Sequence, residues 1–283
     1  MPWLLPLTLV LCSAGLHASW NLIVKGEDDK LFSGWLTVLT PSILLSPVLL
    51  VTGLPPSEAW PILLGSAVIH TGYMIALTQA YVHGDLSVVY PVARGLAPIL
   101  VAVGAPFLLG ERLSLTAILG IILVGGGIAW LGISARRSSA SFAGLAWAVA
   151  TAVFIASYSI VDKVGVSRTN PVTYIIVLMG ANAAFMAPVV LWRRDARLMV
   201  ATWKRRWRSA VLGGLLSVAA YLLVLIAMRL TQVSYIAALR ESSVVLAALL
   251  GWRVLREPYG GRRILASAVV ALGLILLVLA MRG

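Results

Sequence analysis

The chain has 283 residues, of which 60% are hydrophobic and only 11% charged, with a mean hydropathy of +0.98. A soluble domain carries roughly 25% charged residues, so this chain cannot cover its surface in water and lipid must be the solvent for much of it. The formal charge of +12 does not imply a nucleic-acid partner, because the basic residues stand in the gaps between apolar runs, and the single cysteine, Cys12, excludes an internal disulfide.

A hydrocarbon core of about 30 Å needs about 20 residues per helix. Ten spans follow in chain order: 3–25, 31–53, 60–81, 86–109, 114–133, 143–164, 171–192, 208–229, 233–255 and 262–281. No Lys or Arg precedes the first run, so span 1 reads as a retained helix rather than a signal peptide. It carries His17, Trp20 and Asn21. For His17 two readings stand: a titrating group that couples protons to transport, or a neutral imidazole hydrogen-bonded inside the bundle. His70 in span 3 invites the same pair, with the structural one favoured. Span 4 holds Tyr90, Pro91, Arg94, Pro98 and Pro106. Proline frees backbone carbonyls that need a polar or protein-lined setting.

Span 5 (Gly120, Gly125, Gly126, Gly127) and span 10 (Ala266, Ser267, Ala268, Ala271) are rich in small residues, as packing helices or a dimer face would be. Glu111 and Glu257 end spans 4 and 9, where helix-end or cross-loop pairing, for example with Arg112 or Arg256, is expected. Span 6 carries Tyr158, span 7 Asn182, and span 9 Arg240 and Glu241. Between spans 7 and 8, residues 193–208 set Met199, Trp203 and Trp207 on one helical face and Lys204, Arg205 and Arg208 on another. The segment reads as an interfacial amphipathic helix on anionic lipid or as a disordered basic loop.

The loops that follow the odd-numbered spans hold 15 of the 22 Lys and Arg, and the opposite face holds 5. The positive-inside rule puts the richer face in the cytoplasm and both termini outside. Ser13–Lys25 aligns with Thr151–Lys163, and Arg94 and Glu111 recur as Arg240 and Glu257. The chain thus reads as two copies of one unit, 1–137 and 138–283. Five spans per unit is an odd number, so the second copy enters the membrane from the opposite side. The predicted fold is all-α and integral to the membrane: ten helices as two inverted five-helix repeats around a central cavity, the architecture of alternating access.

Arg94 lies about eight residues into span 4 and Arg240 about seven into span 9, so about 12 and 10 Å from opposite faces. Both therefore approach the midplane, where an Arg costs at least about 2.5–3.5 kcal/mol unless it faces water or a partner. Two guanidiniums around one cavity suit a carboxylate, phosphate or phosphonate. The competing reading is an internal ion pair with Glu241, which could neutralise one Arg and not both. Trp20, Asn21, Tyr90, Tyr158 and Asn182 are the further cavity candidates, and His17 and Glu241 the proton-coupling candidates.

The stretch Ala76–Gly132 resembles an EamA domain of the drug/metabolite transporter superfamily, through Ser87-Val88-Val89-Tyr90-Pro91, Ala97-Pro98 and Gly110-Glu111-Arg112-Leu113-Ser114 followed by Gly120 and Gly125-Gly126. The second half matches less closely: Pro91 and Pro98 become Ala237 and Val244. The resemblance implies spans 1–4 and 6–9 around the cavity, spans 5 and 10 at the periphery, and metabolite export or exchange. Phosphate-sugar translocators of the superfamily hold their anion with basic residues on spans 4 and 9, where Arg94 and Arg240 stand. Small multidrug members carry a proton-coupling Glu in the first helix, where this chain has His17.

The expected function is secondary transport of a small organic anion or zwitterion, such as an amino acid or a phosphonate, across the inner membrane. The rivals are efflux of lipophilic cations, flipping of a lipid phosphate and, in another class, a membrane enzyme. The chain shows no nucleotide-binding Gly loop, paired-Asp metal motif, metal-spaced His/Cys cluster or nucleophile elbow. No catalytic residue, metal or cofactor is therefore expected, and the partners are a small-molecule substrate and the bilayer, with the protein a monomer or homodimer.

Overall fold

The computed structural model describes residues 2–24, 30–133, 141–193, 195–244 and 261–282. The chain is an all-α membrane protein whose helices follow the predicted spans. They are α1 (Leu4–Val24), α2 (Lys30–Leu45), α3 (Trp60–His83), α4 (Leu86–Leu109), α5 (Leu115–Ile133), α6 (Phe142–Arg168), α7 (Pro171–Arg193), α8 (Ala196–Leu230), α9 (Val233–Leu239) and α10 (Gly261–Ala280). Span 2 continues past α2 through a 3-10 turn, Ser46–Val48, and a short helix, Leu49–Thr52, which stops at Gly53 in the left-handed region (φ 75°). Only the start of span 9 falls within the described residues. The rest of that span, with Arg256 and Glu257, lies outside them, as does the repeat boundary at 137/138.

Lipid is the solvent for the outer surface: Leu50 is 90% exposed, Phe107 86% and Phe142 89%. The packing has a two-fold pattern. α1 lies along α8 and α3 along α6, while α2 packs on both α7 and α8 and α7 packs on α3. α5 packs on α10 and α4 on α9. Exchanging each helix of the first half with the helix five places on leaves these partnerships unchanged, as a pseudo-two-fold axis requires.

The seam between α5 and α10 is a backbone contact. A Cβ on Gly120 would sit 2.9 Å from the Gly273 carbonyl oxygen, and one on Gly273 would sit 2.7 Å from that of Gly120. A Cβ on Gly127 would sit 2.7 Å from the Val270 side chain and 3.2 Å from the Ala266 carbonyl oxygen. The small residues of spans 5 and 10 thus let these two helices approach each other closely. Their other faces, with Leu119, Ile122, Leu272 and Ile275, are exposed.

Residues 193–208 depart from both readings offered above. Instead of a separate surface helix or a loop, Ala196–Leu230 is one continuous helix of 35 residues. At 1.5 Å per residue it is about 52 Å long, well beyond a core of about 30 Å. No Gly or Pro interrupts it before Gly213, and Asp195 caps its start by accepting from the Arg197 N–H at 2.6 Å. Met199 packs on a small cluster of Phe32, Leu36, Val190 and Ala210, which ties the extension to α2 and α7.

α8 and α9 meet at a sharp corner, Thr231-Gln232. Two charged side chains pin it. The Lys163 ammonium donates to the carbonyls of Met228 and Thr231 at the C-terminal end of α8. The Glu111 carboxylate accepts from the N–H groups of Val233 (2.5 Å) and Ser234 (3.2 Å) and from the Ser234 hydroxyl (2.6 Å), at the N-terminal end of α9. Each charge opposes the dipole of the helix end that it touches. Glu111 therefore has the helix-end role expected of it, and its partners are backbone amides of the other half rather than an arginine.

Candidate functional site

Span 9 is irregular where its charges sit. After α9, the Glu241 N–H bonds the Ala238 carbonyl (3.1 Å), Ser243 that of Arg240 (3.1 Å), and Val244 that of Glu241 (2.9 Å). These 3-10-type bonds mark a turn at Arg240-Glu241, after which the α pattern resumes at Ser242, and the turn projects Arg240 and Glu241 from successive positions. Opposite stands Arg94, on α4 between the kinking residues Pro91 and Pro98.

Arg94 and Glu241 form a two-pronged ion pair, both side chains buried. Nη2 lies 3.0 Å from Oε1, and Nε donates to Oε2 at 3.1 Å. The fork geometry fits a carboxylate and joins the two halves across the pseudo-axis. The ion-pair reading of Arg94 is thus the one the structure shows. Arg240, half-buried, has its guanidinium carbon 5.2 Å from the centre of the Tyr221 ring, a cation–π contact. Arg94, Arg240 and Glu241 line one small hollow together with Ala97, Pro98, Val101, Ile155, Ser159 and Ala237. The hollow lies between α4, α6 and α9 and has room for about one water molecule.

The remaining predicted residues do not all converge there. Tyr158 is buried and stacks on His70, with ring centres 4.1 Å apart, and meets Tyr73 and Tyr221 edge-on. It belongs to an aromatic group beside the hollow. The Asn182 amide oxygen accepts from the Thr71 hydroxyl at 3.1 Å, tying α7 to α3. The Trp20 indole donates to Nδ1 of His17 at 3.2 Å within α1. Tyr90 is half-buried one turn before Arg94. None of these five lines the hollow. The side chain of Asn21 lies outside the described residues.

Sequence reasoning passed over Asp162. This carboxyl is fully buried in α6. The hydroxyls of Ser66 and Tyr174 (2.7 Å for the tyrosine) donate to Oδ1, and that of Tyr221 to Oδ2. Nε2 of His70 lies 3.8 Å from Oδ2. Asp162 stands two residues before the predicted end of span 6, where an acid passes for an interfacial one. α6 runs on to Arg168, however, and takes Asp162 about 9 Å in from its end. Tyr221 bonds Asp162 with its hydroxyl and supports Arg240 on its ring. It touches both clusters.

The EamA-like transporter family matches residues 4–133 and again residues 142–279. A curated relative from Sinorhizobium sp, described as an uncharacterized transporter in the cobO 3' region, is 30% identical over 135 residues, which are 46% of this chain and 93% of that protein. A solved crystal structure superposes with a TM-score of 0.81 at 20% identity, covering 98% of this chain and 97% of the other. That likeness is one of fold.

Proposed function

Because the chain belongs to the EamA-like transporter family, we propose that it is a secondary active transporter that moves a small zwitterionic or anionic metabolite through the hollow by alternating access. It is a multi-pass membrane transporter rather than an enzyme. The proposal adds an inner-membrane location with both termini outside, on the strength of the basic loops, and two repeats divided near 137/138.

The observation that carries the substrate class is the charge set of one hollow: Arg94, Glu241 and Arg240. Since Arg94 and Glu241 neutralise each other, the set is one unit positive. Arg240, stacked on the Tyr221 ring and lining the hollow beside Glu241, offers its fork to a carboxylate, phosphate or phosphonate. Glu241 has lone pairs beyond those given to Arg94 and can take the ammonium of a zwitterion. An amino acid or aminophosphonate matches both ends, and a lipophilic cation would meet the uncompensated Arg240.

The test uses purified protein in proteoliposomes with radiolabelled amino acids, phosphonates, sugar phosphates and a cationic dye. Uptake of a carboxylate or phosphonate compound is expected, with loss in Arg240→Ala and partial retention in Arg240→Lys. Uptake of only the dye, or unchanged anion uptake in Arg240→Ala, would overturn the reading. Scrambling of a labelled phospholipid in place of soluble uptake would favour a flippase.

A further inference from the structure

We propose that Asp162 is a proton-binding site whose occupancy is relayed through Tyr221 to Arg240. A fully buried carboxyl inside a membrane bundle needs a partner for its charge. Among the described residues, no Lys or Arg stands within ion-pair distance of Asp162. Lys163, its neighbour in sequence, is spent on the corner carbonyls of Met228 and Thr231. Arg94 is spent on Glu241.

What surrounds the carboxyl instead is a set of neutral hydroxyl donors and one imidazole, which is charged only when protonated. From α3 come Ser66 and His70, from α7 Tyr174, and from α8 Tyr221. α9 contributes Arg240, one ring away, and α4 contributes Arg94, which Glu241 neutralises. Three hydroxyl donors suit the carboxylate form. The acid form would bring its own O–H and so one donor too many: a hydroxyl must turn away, or the new O–H must find the imidazole of His70. The balance is simple, one proton taken from water by Asp162 and one returned.

Tyr221 gives this event a reach. Its hydroxyl is on Asp162 Oδ2 and its ring is under the Arg240 guanidinium. If the hydroxyl lets go when Asp162 is protonated, the platform beneath Arg240 shifts. The site also depends on close packing, since a Cβ on Gly165 would fall 2.3 Å from the Tyr174 ring.

Two measurements on the full chain in lipid, without substrate, test this apart from the transport reading. The first is infrared titration. A carbonyl band of a buried carboxylic acid is expected to appear on acidification. It should vanish in Asp162→Asn, shift in Tyr174→Phe and Tyr221→Phe, and persist in Glu241→Gln and His17→Gln. The tyrosine variants keep the carboxyl, so they test the site even if Asp162→Asn does not fold. The second is labelling of Ala237→Cys, in the hollow wall, on a Cys12→Ser background with an anionic thiosulfonate. Beyond the rise that ionisation of the thiol itself gives, its rate should respond to pH, and Tyr221→Phe should abolish that added response. A titrating band that survives Asp162→Asn or disappears in Glu241→Gln or His17→Gln, or no band at all, overturns the site. A pH response unchanged in Tyr221→Phe overturns the relay.

Discussion

Removing the Arg94 side chain would do two things at once: take a guanidinium from the hollow and strand Glu241 as a buried anion. Breaking one partner of a buried pair costs about 3–5 kcal/mol, whereas replacing both by apolar residues is often neutral. Arg94→Ala is therefore expected to lower the midpoint of thermal unfolding clearly, while Arg94→Met with Glu241→Leu restores it. Loss of stability in the double variant as large as in the single one would show that the pair is not what holds α4 to span 9. Loss of transport in Arg94→Ala alone thus says little about substrate, and Arg240 is the cleaner probe. The sequence already exposed both arginines, because charge inside an apolar run is conspicuous. It also named Glu241 as the one candidate partner. It could not rank the pair against a bound anion, since the choice rests on a 3-10 turn that aims Glu241 at α4. Asp162 escaped for a different reason: depth was counted from a span end placed four residues short of the helix end.

At the scale of elements, spans were legible because hydropathy counts residues against bilayer thickness, and the structure moves most ends only slightly. The exception is α8. Its polar first turns have no breaker, so helix propensity carries the helix out of the lipid where hydropathy alone stops it. The α8–α9 corner was legible as the gap between spans 8 and 9, but what pins it was not, since Glu111 and Val233 meet only through the fold. Removing a helix N-cap costs about 0.5–2 kcal/mol. Glu111→Ala is expected to destabilise within that range, measured by thermal unfolding in detergent, and Glu111→Gln, which keeps one acceptor oxygen, by less. Equal stability of all three proteins would mean that the α9 amides find water instead.

For the whole molecule, duplication was the strongest message of the sequence, and the partnership pattern of the helices bears the two-fold arrangement out. What repetition of sequence does not show is where the halves come into backbone contact. The contact of Gly120 with Gly273 joins the two repeats backbone to backbone. A larger side chain there wedges them, at about 1–3 kcal/mol for overpacking, so Gly120→Leu should unfold earlier while an outward substitution such as Ile122→Leu should not. The seam has a further consequence for any motion of the bundle. Helices touching at their main chains cannot slide or part without losing that contact, so this seam is expected to stay closed when the bundle moves. Spin labels on the lipid-facing positions Ile122 and Ile275 should hold one separation in every state, while a pair across the mouth of the hollow changes its own.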